Sequence, residues 1–315
     1  MATDDTSPKT RSSIPERQNR EENLVLRRAI AQIYFLAKKN LGGQIILTVI
    51  LPMLVALASI FLPELRPFVA VLSIAALLID IFYLDRRQKK LLRAAASTAE
   101  RFDCNVLQIE WNRVSIGSTP SDAQTHEWSN DYKARVANDG RILDWYPIAV
   151  RLAPEHQARV MCQLTNAQYD GRLREKYRLT IGVAGILCVL SLCLAGLLAR
   201  LTLQEFILIA VTPALPILLW SGREFIRQLE TDGPLRDIQD RAFEAWNDTL
   251  VEKEDTDQLR TVSRALQDAI FGYRVRSPLP IPFIYSLLRN RLEVKMNVSA
   301  EQRLREAGID SPGSS

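Results

Sequence analysis

The sequence predicts a mainly α-helical integral membrane protein: four transmembrane helices arranged as two hairpins, joined to an α-rich cytoplasmic domain that contains a short β element. Three observations carry that prediction. Apolar residues concentrate in two blocks, 41 to 84 and 179 to 220, while charged residues fall almost entirely outside them. Each block is divided by a short polar link, so each reads as a helical hairpin. Lys and Arg crowd four of the six flanks of these spans.

The totals alone would suit a soluble chain equally well, since 315 residues with 47% apolar content can fill one or two globular domains. A net charge of +4 is too small to argue for nucleic-acid binding, which usually shows a strongly basic face. Cys104, Cys162, Cys188 and Cys193 form no CxxC pair and read as reduced thiols. The first 40 residues lack a short apolar core and a small-residue cleavage site, so no secretory signal is expected.

Residues 1 to 20 are polar and poor in large apolar side chains, and read as a disordered tail. From 21 to 40 an amphipathic helix leads toward the membrane: Leu26, Ile30, Ile33, Tyr34 and Ala37 share one face, with Arg27, Arg28, Lys38 and Lys39 elsewhere around the wheel. Leu41 to Leu62 carries no formal charge, and its length as a helix, about 33 Å, matches a hydrocarbon core. A second span at 67 to 84 contains one acid, Asp80. The third, 179 to 199, is uncharged, and the fourth, 203 to 220, holds Pro213 and Pro216, which should kink it because each lacks an amide donor. Trp220 suits an interfacial anchor.

The two hairpin links hold one basic residue each, Arg66 and Arg200, against fifteen within 15 residues of a span in the other four flanks. Both termini and the loop 85 to 178 are therefore expected on the cytoplasmic side, together with 221 to 315. Within these regions Asp85 to Arg101 should continue the second span as a helix, and Asn105 to Trp111 reads as a short strand. Ser121 to Ala137 reads as a polar helix. Another begins at Pro154 and can run unbroken into the third span. Leu235 to Val251 looks helical, and Leu259, Val262, Leu266, Ile270 and Tyr273 mark an amphipathic helix. Pro278, Pro280 and Pro282 then precede a final basic helix from Phe283 to about Met296.

No nucleotide-binding glycine loop, HExxH or GxSxG motif occurs, and His126 and His156 are the only histidines, both expected in exposed helices. No catalytic residue, metal ligand or bound cofactor is assigned, and the chain is not expected to be an enzyme. Asp80 is the one acid well inside a span; it either lines a pore or reaches back toward Arg86 or Arg87. Pro213 and Pro216 mark either a gate or simple kinks. Gly182, Gly185 and Gly196 should permit close helix packing. Trp111, Trp145 and Tyr146 are aromatics on which a base can stack, or else core residues, and Arg172 and Arg174 are candidate phosphate contacts.

Several short motifs occur in order around the two hairpins: RQN at 17 to 19, AQIY-x2-AK from Ala31, FDC-x6-WN from Phe102, DWYP at 144 to 147, CQ-x2-N at 162 to 166 and YD-x2-LR-x2-Y from Tyr169. LQD-x2-F-x2-R-x-R follows from Leu266, and P-x-PF-x-Y-x3-R-x3-E from Pro280 to Glu293. Together they resemble the SMODS-associated four-transmembrane effector family over residues 17 to 296. Tyr169 departs from the tryptophan expected there. The resemblance implies an effector of bacterial cyclic-oligonucleotide anti-phage signalling (CBASS) in the inner membrane, working with a partner nucleotidyltransferase. It implies that a cyclic di- or trinucleotide is the activating ligand and that the membrane is breached; because four helices form a poor aqueous pore alone, ligand-driven homo-oligomerisation is expected. A non-conducting membrane scaffold that recruits a cytoplasmic partner is the competing reading, and a membrane enzyme acting on lipid headgroups a third.

Overall fold

The computed structural model describes residues 11–252, 254–279 and 300–309; the side chains of residues 169–179 lie outside that description. Four long rods dominate. The first combines α2 (Glu21–Ile45), a π-helical turn (Ile46–Ile50) and α3 (Leu51–Phe61). The second runs from a 3-10 turn (Pro63–Leu65) through α4 (Arg66–Ile79) and a π-helical turn (Asp80–Leu84) into α5 (Asp85–Leu107). The third rod is α8 (Glu155–Leu198). The fourth combines α9 (Leu203–Phe206), a π-helical turn (Ile207–Val211) and α10 (Thr212–Val251). Short helices α1 (Ile14–Gln18), α6 (Arg113–Ile116) and α7 (Asp122–Arg135), a 3-10 turn (Ile148–Leu152), α11 (Asp257–Arg276) and a helical segment at 300–306 complete the described elements.

Each rod carries one stretch apolar and long enough to cross a membrane, with most of that stretch exposed to its surroundings. Side chains such as Leu54, Phe68, Ile186 and Leu198 point outward there, as a lipid-facing surface requires. This is a multi-pass membrane protein. The rods then leave the apolar zone without a break and build a polar body around a core of Phe102, Val106, Leu107, Tyr146, Leu164, Trp246 and Ile270. Burying a side chain such as Phe102 contributes about 1.5–3 kcal/mol.

The spans pack tightly on one another. A Cβ on Gly185 would lie 2.5 Å from Ser221 Oγ, and one on Gly196 would lie 2.9 Å from Phe206, so the glycines of α8 serve contact with the fourth rod within the chain. Trp220 is not an interfacial anchor. It is 7% exposed, inside a cluster with Ala37, Leu41, Leu92, Ile181 and Leu279 where all four rods leave the apolar zone.

Other expectations change for identifiable reasons. Among the described residues there is no strand. Asn105 to Leu107 finish α5, because Leu92, Ala95, Ala99, Phe102 and Val106 bury a helical stripe that outweighs β propensity; Gln108 then caps the helix in the left-handed region at φ 56°. Residues 14–18 of the expected tail form α1, whose Ile14 is fully buried in the body core. Pro213 and Pro216 do not interrupt the fourth rod. A π-helical turn (Ile207–Val211) lies just before them, and the Thr212 hydroxyl donates to Ile207 O at 2.9 Å. Helices α7 and α8 start as expected, though Ser121 makes no side-chain cap bond. The first ten residues and the segment 280–299, which holds the expected final helix and the motif from Pro280 to Glu293, lie outside the described residues.

Candidate functional site

The body is stitched together by a buried polar node at the meeting of α5, α8, α11 and the loop before residue 147. On α5, Glu100, Asp103 and Cys104 fall at i, i+3 and i+4 and so share one face. That face meets α11. Arg264 Nη2 donates to Glu100 Oε1 at 2.7 Å and to Asp268 Oδ1 at 2.9 Å. Gln267 Nε2 bridges Glu100 Oε2 and Asp103 Oδ2, each at 2.9 Å, and Arg274 Nη1 donates to Asp103 Oδ2 at 2.6 Å. The Tyr146 hydroxyl donates to Asp103 Oδ1 at 2.6 Å and accepts from Asn166 Nδ2 at 3.2 Å. Gln163 of α8 completes the node through Gln267 Oε1 at 3.0 Å, while its own Oε1 accepts from Ser263.

Burial controls the charges here. Glu100 is fully buried, and its desolvation, with the like charge of Asp103 beside it, raises its carboxyl above the ordinary value. The Cys104 thiol is pushed up to about 12, first by burial and then by Glu100. Burial also raises the Tyr146 phenol, so the ring donates its proton to Asp103 as a neutral hydroxyl. Desolvation opposes the charge on Arg274, but Asp103 outweighs it and raises this guanidinium.

A second set of contacts fastens the N-terminal strap to the same loop. Gln18 donates to Tyr146 O at 3.2 Å and accepts from Tyr146 N at 2.7 Å. Asn19 donates to the Asp144 carboxylate at 2.7 Å and accepts from Asp144 N at 3.2 Å, where the backbone is left-handed at φ 50°. Arg17 donates to Val106 O at 2.8 Å and pairs with Glu155.

Of the sequence-predicted residues, Trp145 and Tyr146 lie at this node, but Tyr146 is 1% exposed and stacked on Phe102, so it offers no free face. Trp111 sits apart, donating to Gly117 O at 2.9 Å and packing beside Ala96, Ile116 and Phe271. The side chains of Arg172 and Arg174 lie outside the described residues. Among the described residues no cluster of metal-binding side chains occurs. Asp80 is 1% exposed; it turns away from Arg86 and Arg87 and instead accepts from Gln44 at 2.8 Å and Arg223 at 2.5 Å. Pro213 and Pro216 are buried in the same bundle. His126 is exposed as expected, whereas His156 is 5% exposed.

Sequence reasoning missed Glu100, Asp103, Arg264, Gln267 and Arg274. For Asp103, Gln267 and Arg274 the signal was in the motifs: polar residues of RQN, FDC, WN, DWYP, CQ-x2-N and LQD-x2-F-x2-R bond to one another here, whereas Glu100 and Arg264 lie in none of them.

Comparison with known proteins gives the same pattern a name. The SMODS-associating 4TM effector domain matches residues 12–303, which takes in every residue of the node. The chain belongs to this effector family. A probable CBASS effector molecule from Bacillus cereus (strain VD146) is 24% identical over 294 residues, covering 89% of this chain and 95% of that protein. No solved structure matches. As a member of the SMODS-associating four-transmembrane effectors, the chain is a membrane effector of anti-phage defence, linked to a system that produces cyclic oligonucleotides.

Proposed function

We propose that this effector binds a cyclic oligonucleotide through its extramembrane body and, once bound, assembles with further copies of itself to permeabilise the bacterial inner membrane. The body and both termini lie on the cytoplasmic side in this reading, and the chain acts by breaching the bilayer rather than by catalysis. The observation that carries the proposal is mechanical: every span continues into the body as part of one helical rod, with α8 running over 44 residues and α10 over 40. A helix transmits a displacement at one end to the other, so ligand closure of the body moves the spans directly. The ligand drives this only by binding the open arrangement more tightly than the closed one.

The packing of the spans favours assembly over a pore within one subunit. Gly185 and Gly196 close the third rod onto the fourth, and the Asp80 carboxylate is occupied by Gln44 and Arg223. Four helices form a poor aqueous pore alone, so in this reading a conducting route needs further copies.

The test is release of a small dye from liposomes carrying the purified full chain, with cyclic di- and trinucleotides added one at a time. Release with one nucleotide supports the proposal and names its ligand. Absence of release from folded, inserted protein supports a membrane scaffold instead.

A further inference from the structure

Arg27 is the anomaly of the body. It is 8% exposed, its Nε is buried without a partner, and among the described residues its side chain makes no hydrogen bond or ion pair. Neighbouring Arg28, by contrast, is clasped by Glu21 and Asp139. Asp103 of the node attracts Arg27 through space but does not bond to it, because its oxygens are taken by Tyr146, Gln267 and Arg274. What holds Arg27 is aromatic: its guanidinium lies 3.8 Å over the Trp145 ring and 5.3 Å from the centroid of Phe102. Burial, with the like charge of Arg274 nearby, pulls its value down to about 10 against the opposing pull of Asp103, so it stays charged at neutral pH.

A buried guanidinium whose N–H groups lack an acceptor is costly, and an acceptor that arrives from outside removes that cost. The guanidinium rests on the Trp145 ring, and among the described residues its N–H groups meet no acceptor, so they are the free donors. A fork of that geometry fits two oxygens of a phosphate. Trp145 is half-buried, so the ring beside Arg27 keeps part of its surface open to a base.

We infer that Arg27, braced on Trp145 and Phe102, is a phosphate-binding residue of the ligand site, receiving a phosphodiester of a soluble nucleotide. This rests on the cyclic-oligonucleotide reading above. It also explains why DWYP and RQN are clasped together: the Gln18–Tyr146 and Asn19–Asp144 bonds fix the loop that presents Trp145 to Arg27.

The experiment measures thermal stability and affinity of the full chain in lipid nanodiscs with cyclic di-AMP, cyclic GMP–AMP, cyclic tri-AMP and inorganic phosphate. Wild type is compared with Arg27→Met and Arg27→Lys. We expect unliganded Arg27→Met to melt no lower than wild type, since it replaces an uncompensated charge by an apolar side chain of similar length. Its affinity for the nucleotide that stabilises wild type should fall about 10- to 100-fold, the loss expected for a charged hydrogen-bond donor. Arg27→Lys should fall between the two. A wild type that responds and an Arg27→Met that responds equally would overturn this inference alone. Should Arg27→Met not fold, Arg27→Lys decides, and unchanged affinity there overturns it. A wild type that ignores all three nucleotides overturns the nucleotide reading itself. Stabilisation by phosphatidylglycerol nanodiscs in place of nucleotide would reassign the phosphate to a lipid headgroup and overturn the inference.

Discussion

Asp80 and Arg223 lie 143 residues apart in sequence and meet at 2.5 Å, tying the second rod to the fourth where the spans join the body. Gln44 adds the first rod at 2.8 Å, and Arg227 repeats the connection one turn on by pairing with Asp85 at 2.5 Å. Three rods are thus clamped at one level, beside π-helical turns that begin at Ile46 and Asp80.

The clamp predicts the sign of an Asp80→Asn effect. Loss of the charge leaves Arg223 with only the longer 3.8 Å contact to Asp85, and should cost about 1–3 kcal/mol of stability in detergent unfolding. A double-mutant cycle with Arg223→Gln should give a coupling of at least about 0.5 kcal/mol. If the clamp holds the closed arrangement, Asp80→Asn raises dye release without ligand. Abolished release from a folded variant would instead make Asp80 a pore-lining group.

The node gives a graded series. Tyr146→Phe removes one donor to Asp103 and one acceptor for Asn166, and should cost about 1–3 kcal/mol while the ring keeps its stack on Phe102. Asp103→Ala strands Arg274 without its carboxylate and should cost about 3–5 kcal/mol. Equal effects of the two, read by thermal unfolding, would count against Asp103 as the hub.

The spans were legible in the sequence because a membrane crossing is a composition signal spread over many residues, and the four apolar stretches sit where charge density predicts. The node was not legible from periodicity. Leu259, Leu266, Ile270 and Tyr273 mark α11 as amphipathic, yet Ser263, Gln267 and Arg274 are equally drawn in, against Gln163, Glu100 and Asp103 of distant segments. Polar residues are read as outward-facing until a partner is known, and those partners lie 100 to 171 residues away. Arg27 was placed on the polar side of the wheel for the same reason.

Close packing of the third and fourth rods predicts a steric variant. Gly185→Val would drive its Cβ into Ser221, whose Oγ and Cβ lie 2.5 and 2.7 Å from the ideal position, and should push the rods apart at a cost of about 1–3 kcal/mol. Gly185→Ala combined with Ser221→Gly removes both clashing atoms and should recover most of the loss of Gly185→Ala alone. No recovery in thermal unfolding would place the obstruction elsewhere.

Acid stability separates two carboxylates of opposite behaviour. Hydrogen bonds from Arg28 hold the Asp139 carboxyl below its ordinary value of 3.8, so its contribution to folding is complete above that value and is lost as pH falls through the depressed folded one. Glu100 is raised above 4.5, so the fold favours its protonated form, and its unfavourable contribution grows as pH rises from 4.5 through the folded value. Melting temperature should therefore drop on acidification below about 3.8, a fall shared with the depressed Glu21, Asp85 and Asp255, and Asp139→Asn should remove part of it, while amide exchange in the loop around Asp139 rises in the same window in wild type. Glu100→Gln should leave that acid limb intact and flatten the dependence above 4.5. An acid limb unchanged by Asp139→Asn would show that the Arg28 clasp does not couple the loop to the stability of the body.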